Sequence, residues 1–358
     1  MKILHCADIH LDSAMQTHMD KDQAIQRNAE ILKTFTRMID YAKSHQIAVV
    51  LIAGDLFDRD RVTRRTVESV LDSIQSAPQI DFLYVSGNHD AKANAFLDKD
   101  IPENFKVFTN DWTTFDYGEV SISGIEMTKD NAITLYDQLP VQNNRINIVM
   151  LHGQIASNSG VDLVNLSLLK QKNIQYLALG HIHSYACDRI DENGIYCYPG
   201  CLEGRGFDEC GPKGFVTIDT DTRNLSCTFI PFASRMLHRV NVDVSGASTN
   251  HAVYQKMKEA AADISKNDMV EFVLKGQTDF SSQIASEYLY SLIHNDYYFV
   301  KLKDEMKPAY NPDVYSKDIS LKGEFIRLVL QNKDLSEEEK LQIIRTGLEA
   351  LSDEEITV

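Results

Sequence analysis

Little in this sequence points to a covalently stapled or membrane-embedded molecule. Six cysteines are scattered over 358 residues with no Cys-x-x-Cys spacing. One of them, Cys6, falls inside an apolar run, so reduced thiols are expected rather than a disulfide framework. No apolar stretch approaches the roughly 20 residues that span a bilayer, and no membrane partner is expected. The opening segment MKILHCADIH has no leader pattern, because its apolar stretch stops at Asp8 without a small-residue cleavage site; a cytoplasmic chain is expected. Internal repeats and low-complexity tracts are absent. Basic residues are also short, with 36 Lys and Arg against 52 Asp and Glu, a formal net charge of −16. Partners of nucleic acid ordinarily carry a basic footprint, so this balance counts against a DNA ligand without excluding one.

The apolar residues that are present fall into short runs alternating with helical stripes. Ile3–Ala7, Ile47–Ala53, Phe82–Ser86, Ile146–Leu151 and Tyr176–Leu179 are rich in Val, Ile, Leu and Tyr and too short for helices, so they predict buried strands. Helices are predicted at Asp22–Ser44 and Thr63–Ser76, where apolar residues recur at helical spacing. This alternation gives an α/β chain with a mainly parallel sheet. From Gly118 the texture shortens: Val120–Ile125, Ile195–Tyr198, Phe215–Asp219 and Leu225–Phe232 suggest a second, more antiparallel sheet packed on the first. A new unit begins near Ser234. Its order is strand His238–Val244, helix Asn250–Asp263, strand Val270–Leu274, helix Ser281–His294 and strand Tyr297–Leu302, a βαβαβ arrangement. Lys303–Asp318 reads as a linker. Two short helices follow, one over Leu321–Leu330 and one opened by Ser336-x-x-Glu339 with capping-box spacing.

Five polar motifs each sit at or just beyond the C-terminal end of a predicted strand. They are Asp8-Ile9-His10, Gly54-Asp55, Gly87-Asn88-His89-Asp90, His152-Gly153 and Gly180-His181-Ile182-His183. Strand carboxyl ends line one crevice in an open α/β sheet, so residues remote in sequence should meet there. Any one motif alone is a turn or a structural histidine; five in the same strand-end position argue for a metal centre. Among them Asp8, Asp55, Asn88 and the five His make a mixed oxygen and imidazole set, suited to Mn, Fe or Zn rather than Ca or a thiolate-bound metal. The donors outnumber what one ion needs, and Asp55 can bridge two ions about 3.5–4 Å apart, as in two-metal phosphoryl chemistry. Such a pair activates water against a phosphorus–oxygen bond.

The motif order resembles the calcineurin-like metallophosphoesterase superfamily, which implies a four-layer αββα sandwich. Asp8-Ile9-His10-Leu11-Asp12, Gly54-Asp55-Leu56-Phe57-Asp58-Arg59 and Tyr198-Pro199-Gly200 preceding Phe207-Asp208-Glu209 further resemble the SbcD family of DNA repair exonucleases. That resemblance implies a nuclease domain over 1–233, a small βαβαβ capping or DNA-binding domain over 234–305, and a linker with a two-helix docking tail over 306–358. It also implies a homodimer, DNA as substrate and an SbcC-type coiled-coil ATPase as partner. By position, Asp8, His10, Asp55 and His183 would hold one Mn ion, and Asp55, Asn88, His152 and His181 the other. His89 would orient the phosphate and help protonate the leaving oxygen.

Outside these motifs, Arg59, Arg61, Arg64 and Arg65 read equally well as phosphate contacts or as a solvated helix start. Arg205, between two glycines, is the better candidate for a phosphate. His5, His18, His45, His238, His251 and His294 follow no pattern and read as structural. Trp112, Tyr297, Tyr298 and Phe299 read as core rather than as base-stacking surfaces. Three functions are weighed at this point. The leading one is a Mn-dependent DNA nuclease, which the βαβαβ unit and the two-helix tail favour. The second is a phosphodiesterase or phosphatase for a small nucleotide-like substrate, which the acidic charge favours slightly. The third, a metal-free scaffold, is opposed by the intact ligand set.

Overall fold

The computed structural model describes residues 1–15, 19–58, 62–90, 96, 99–221, 225–279, 284–309 and 319–351. They form two compact units, Met1–Met236 and Leu237–Val358.

In the first unit, strands β1 (Lys2–Cys6), β2 (Ile47–Ala53), β3 (Asp81–Val85) and β4 (Phe105–Val107) run parallel. A second group follows: β5 (Thr113–Tyr117), β6 (Val120–Gly124), β7 (Ile146–His152), the short pair β8 (Gln154–Ala156) and β9 (Leu163–Asn165), β10 (Tyr176–Gly180), β11 (Ala186–Arg189) and β12 (Ile195–Tyr198). The last hairpin, β13 (Gly214–Asp219) and β14 (Ser226–Pro231), returns antiparallel onto β1. The result is two six-stranded sheets, ordered β14-β13-β1-β2-β3-β4 and β11-β12-β10-β7-β6-β5.

This distribution differs from the expected one. The runs at Ile146 and Tyr176 belong to the second sheet, and the hairpin from Phe215 belongs to the first. An apolar run states that a strand is buried, not which neighbour it pairs with, and a two-residue alternation is compatible with either sheet.

Alternation along each strand explains the layering. Ile3, Val49, Leu51, Leu83 and Val85 point one way and meet Ile122, Ile148, Met150, Tyr176 and Ala178 between the sheets. Leu4, Cys6, Val50, Ile52, Phe82 and Tyr84 point the other way, onto the helices. Parallel strands covered on both faces need such unbroken apolar runs. Helix α1 (Lys21–Ser44) starts at a capping box in which Asp20 accepts from the backbone of Gln23 and Gln23 reaches back. Helix α2 (Arg64–Gln75) is capped by Thr63, whose hydroxyl accepts from the Thr66 backbone. The outer face of the second sheet is covered differently. There Met127, Leu135, Tyr136 and Leu169 close the layer from turns and a 3-10 segment at Leu166–Leu168.

The second unit holds β15 (Leu237–Asp243), α3 (Asn250–Ala260), β16 (Met269–Lys275), β17 (Gln277–Asp279), α4 (Ser286–Ile293), β18 (Phe299–Asp304) and β19 (Lys307–Ala309). Strands β15, β16 and β18 form a parallel three-stranded sheet, and β17 pairs with β19. Residues 303–309, expected as linker, thus complete one strand and supply another; 310–318 lie outside the described residues. Two tail helices, Leu321–Gln331 and Glu337–Leu351, pack on each other through Ile326 and Ile344. Leu321 and Leu328 stay exposed. No described helix is long and apolar enough to cross a membrane.

Candidate metal centre at the strand ends

Three motif strands come from the first sheet and two from the second, so the polar residues meet where the carboxyl ends of both sheets converge. After β1 and β2 the chain leaves in paired loops. The amides of Asp8, His10 and Leu11 donate to the carbonyls of Gly54, Asp55 and Leu56 at 3.0, 2.9 and 3.0 Å. To place their side chains, Asp8, His10, Asp55 and His181 adopt φ of 51, 48, 52 and 99°. Non-glycine residues rarely occupy that left-handed region, and strain of this kind gathers at functional sites. Gly54, at φ +91°, has a second reason to be glycine: a Cβ there would lie 2.0 Å from His152 Nδ1.

The side chains converge tightly. Asp55 Oδ2 lies 3.7 Å from His10 Nε2 and 3.5 Å from His152 Nε2, between the two rings. His10 Nε2 is 3.2 Å from His183 Nε2. Asn88 Oδ1 is 3.2 Å from both His152 Nε2 and His181 Nδ1. Asp8 accepts the His181 amide at 2.9 and 3.0 Å through its two oxygens. Asp8, His10 and His183 offer donor atoms within 4.8 Å of one another, as do Asp8, Asp55 and His152. All seven residues expected to ligate are therefore gathered around Asp55.

The electrostatics fit cations. Asp8, fully buried, is pushed well above the usual carboxylate range by burial and then by the charge of Asp55. Burial also raises Asp55. Buried carboxylates this close need positive charge nearby, and the two buried imidazoles on either side of Asp55, His10 and His152, do not supply it. Burial pushes His10 well down and His152 to about 4, which leaves both rings neutral. The Ala53 carbonyl lies 2.9 Å from His152 Nδ1. A carbonyl only accepts, so Nδ1 carries the hydrogen and Nε2 presents its lone pair to the centre. Neutral imidazole nitrogens with free lone pairs, beside carboxyl groups whose ionised form needs a compensating cation, are a divalent-metal donor set, and the residues present fit two such ions.

His89 lies beside the donors, its ring 4.8 Å from that of His10, and with His10 and Asp58 it forms a further cluster of possible donor atoms. Its Nδ1 lies 2.9 Å from Asp58 Oδ1, and this bond holds the Asp58 carboxyl below its usual range. Its amide donates to Asp55 Oδ1 at 2.9 Å. Part of the ring is open to solvent.

Three carboxylates carry more of the site than their motifs alone suggest. Asp90 accepts from the amides of Leu56, Phe57 and Gly87 at 3.1, 2.8 and 3.1 Å, tying the second and third motif loops together. Asp58 orients His89. Glu209 stands behind His183, with Oε1 2.7 Å from Nδ1. Burial opposes its charge, but the His183 hydrogen bond and the Arg205 guanidinium hold it at about 2. All three lie inside motif segments, and position within those segments was the one available signal. Arg205 is turned onto Glu209 at 2.7 Å. Arg59 and Arg61 lie outside the described residues. Arg64 pairs with Glu68 on an exposed helix face. Trp112 donates to the Leu135 carbonyl, and Tyr297 and Phe299 are buried.

A family model described as Calcineurin-like phosphoesterase matches residues 1–185. The uncharacterized metallophosphoesterase YhaO of Bacillus subtilis is 25% identical, over 77% of this chain and 72% of its own. The DNA double-strand break repair protein Mre11 of Aeropyrum pernix is 24% identical, over 74% of this chain and 69% of its own. A subunit of the nuclease SbcCD of Staphylococcus saprophyticus is 26% identical, over 64% of this chain and 69% of its own.

Proposed function

The chain belongs to the calcineurin-like phosphoesterase family, and from that premise we propose that it is a Mn-dependent nuclease hydrolysing phosphodiester bonds in DNA. The observation that carries the reading is the convergence of Asp8, His10, Asp55, Asn88, His152, His181 and His183 beside an Asp58-oriented His89. In this reading Asp8, His10, Asp55 and His183 hold one ion, and Asp55, Asn88, His152 and His181 the other. Bound divalent cations supply Lewis acidity, lowering the pKa of water and offsetting charge that builds on the phosphoryl oxygens. His89, protonated at both ring nitrogens, would orient the phosphate through Nε2–H and pass that proton to the leaving oxygen, ending as the neutral ring whose Nδ1–H Asp58 holds. Asp90 holds the two motif loops in register.

DNA as substrate rests on the relatives named as a DNA repair protein and as part of a nuclease. In this reading the unit from Leu237 selects the DNA admitted, the tail helices dock on an SbcC-type coiled-coil ATPase, and the protein acts as a cytoplasmic homodimer. The net charge of −16 favours a second reading, a phosphodiesterase for a small nucleotide-like substrate. One experiment separates them: purified protein with Mn2+ is given labelled linear duplex, single-stranded DNA and bis-p-nitrophenyl phosphate. The nuclease reading expects cleavage of DNA and of the chromogenic diester. Turnover of the diester with both DNA substrates intact would sink it in favour of the second.

A further inference from the structure

We propose that Glu209, clamped by Arg205, is a positioning residue that sets the tautomer and ring plane of His183 and thereby the affinity of one of the two metal sites. The inference rests on the ligand assignment proposed above. Its geometry is local and closed. Glu209 is 5% exposed, and its Oε1 lies 2.7 Å from His183 Nδ1. Arg205 donates through Nη2 to the same oxygen at 2.7 Å, and its backbone amide donates to Oε2 at 2.8 Å. Both carboxylate oxygens are thus engaged, which fixes the plane of the acceptor. An ionised carboxylate only accepts, so the hydrogen of the His183 ring must sit on Nδ1. Nε2 is then left with its lone pair, facing His10 Nε2 at 3.2 Å.

Arg205 Nη2 also lies 3.3 Å from His183 Nδ1. A guanidinium has no acceptor, and a protonated Nδ1 has no lone pair, so that contact is not the bond that orients the ring. The role of Arg205 is to hold the Glu209 carboxylate in place through both of its oxygens. The backbone of His183 is fixed from the same segment, since Lys213 Nζ and the Cys201 amide donate to its carbonyl at 2.7 and 3.3 Å. Ring and backbone of this one residue are therefore positioned by residues 201–213, far from it in sequence.

His152 makes the contrast. A neutral carbonyl, Ala53 O, backs its Nδ1, whereas a carboxylate backs His183. A carboxylate behind an imidazole raises the basicity of the outward nitrogen, and loss of such a partner typically lowers metal affinity by about 10–100-fold. The effect should fall on the ion that His183 holds and spare the other.

The test is a titration of the metal-free full-length protein with Mn2+ by calorimetry, for the wild type, Glu209→Gln and His183→Ala. The wild type should take two ions and His183→Ala one. Glu209→Gln should keep both, with one dissociation constant raised about 10–100-fold and the other unchanged. Unchanged constants in Glu209→Gln, beside a lost ion in His183→Ala, would overturn the positioning role while leaving the ligand assignment intact. Two ions retained by His183→Ala would instead overturn the ligand assignment. A measurement on the wild type stands independently of whether a variant folds: histidine nitrogen NMR of the metal-free protein should find His183 as the Nδ1–H tautomer. The Nε2–H tautomer there would overturn the proposal.

Discussion

If His89 is the proton donor proposed above and not a metal donor, replacing it with Ala should stop that proton transfer and leave both ions bound, and the structure lets the consequences be separated. The ring is held at 2.9 Å by Asp58, while its backbone amide, which the substitution keeps, is what touches Asp55. Both ions should therefore remain bound. Proton transfer to the leaving oxygen is worth about 10²–10⁴-fold, or about 3–5 kcal/mol of barrier at 1.36 kcal/mol per tenfold. The loss should depend on the leaving group. A deoxyribose oxygen leaves as a strong base and needs the proton, whereas p-nitrophenolate is a weak base and needs it far less. DNA cleavage should thus fall by the full factor and bis-p-nitrophenyl phosphate hydrolysis by much less. Asp58→Asn should cost about 10–100-fold on DNA, the worth of a hydrogen bond to a charged group. In a His89→Ala background it should cost almost nothing, since its partner is already gone. Asp58 Oδ1 also lies 4.0 Å from His10 Nδ1, so metal content by elemental analysis accompanies each variant. Equal losses on both substrates, or loss of an ion from His89→Ala, would refute the proton-donor role.

Asp90→Ala strands three buried amides at the second and third motif loops; the expected cost is about 3–5 kcal/mol of unfolding free energy by denaturant titration, with metal binding weakened as well. Gly54→Ala places a methyl 2.0 Å from His152 Nδ1 at φ +91°, so metal titration should show one weakened site, and an unperturbed titration would show that the loop yields freely. Removing divalent ions by chelation should lower the melting temperature, and adding Mn2+ at 100 times its dissociation constant should restore about 2.7 kcal/mol of stability. If the tail docks on a coiled-coil ATPase, Leu321→Asp with Leu328→Asp should abolish pull-down, because these exposed leucines lie off the Ile326–Ile344 contact; retained binding would place the docking surface elsewhere.

The candidate donors, and the strand ends that carry them, could be read from the residues alone. Asp-x-His, Gly-Asp, Gly-Asn-His-Asp, His-Gly and Gly-His-x-His are local patterns, and a strand followed by a tight polar exit is written in a few adjacent residues. The βαβαβ unit was legible for the same reason, since period-two and period-3.6 apolar spacing are properties of short windows. Which sheet each strand joins was not legible. The runs at Ile146 and Phe215 carry the same burial signal, and only packing of whole sheets puts one in the second and the other antiparallel on β1. The outer layer on the second sheet likewise escaped, because turns and a 3-10 segment have no periodicity to read. The supporting carboxylates emerged only with the folded chain. Asp58, Asp90 and Glu209 act through partners 31, 33 and 26 residues away. Flanking glycines made Arg205 a candidate for a phosphate; its ion pair with the buried Glu209 appears only in the folded chain, because it depends on where residues 205–209 settle against His183.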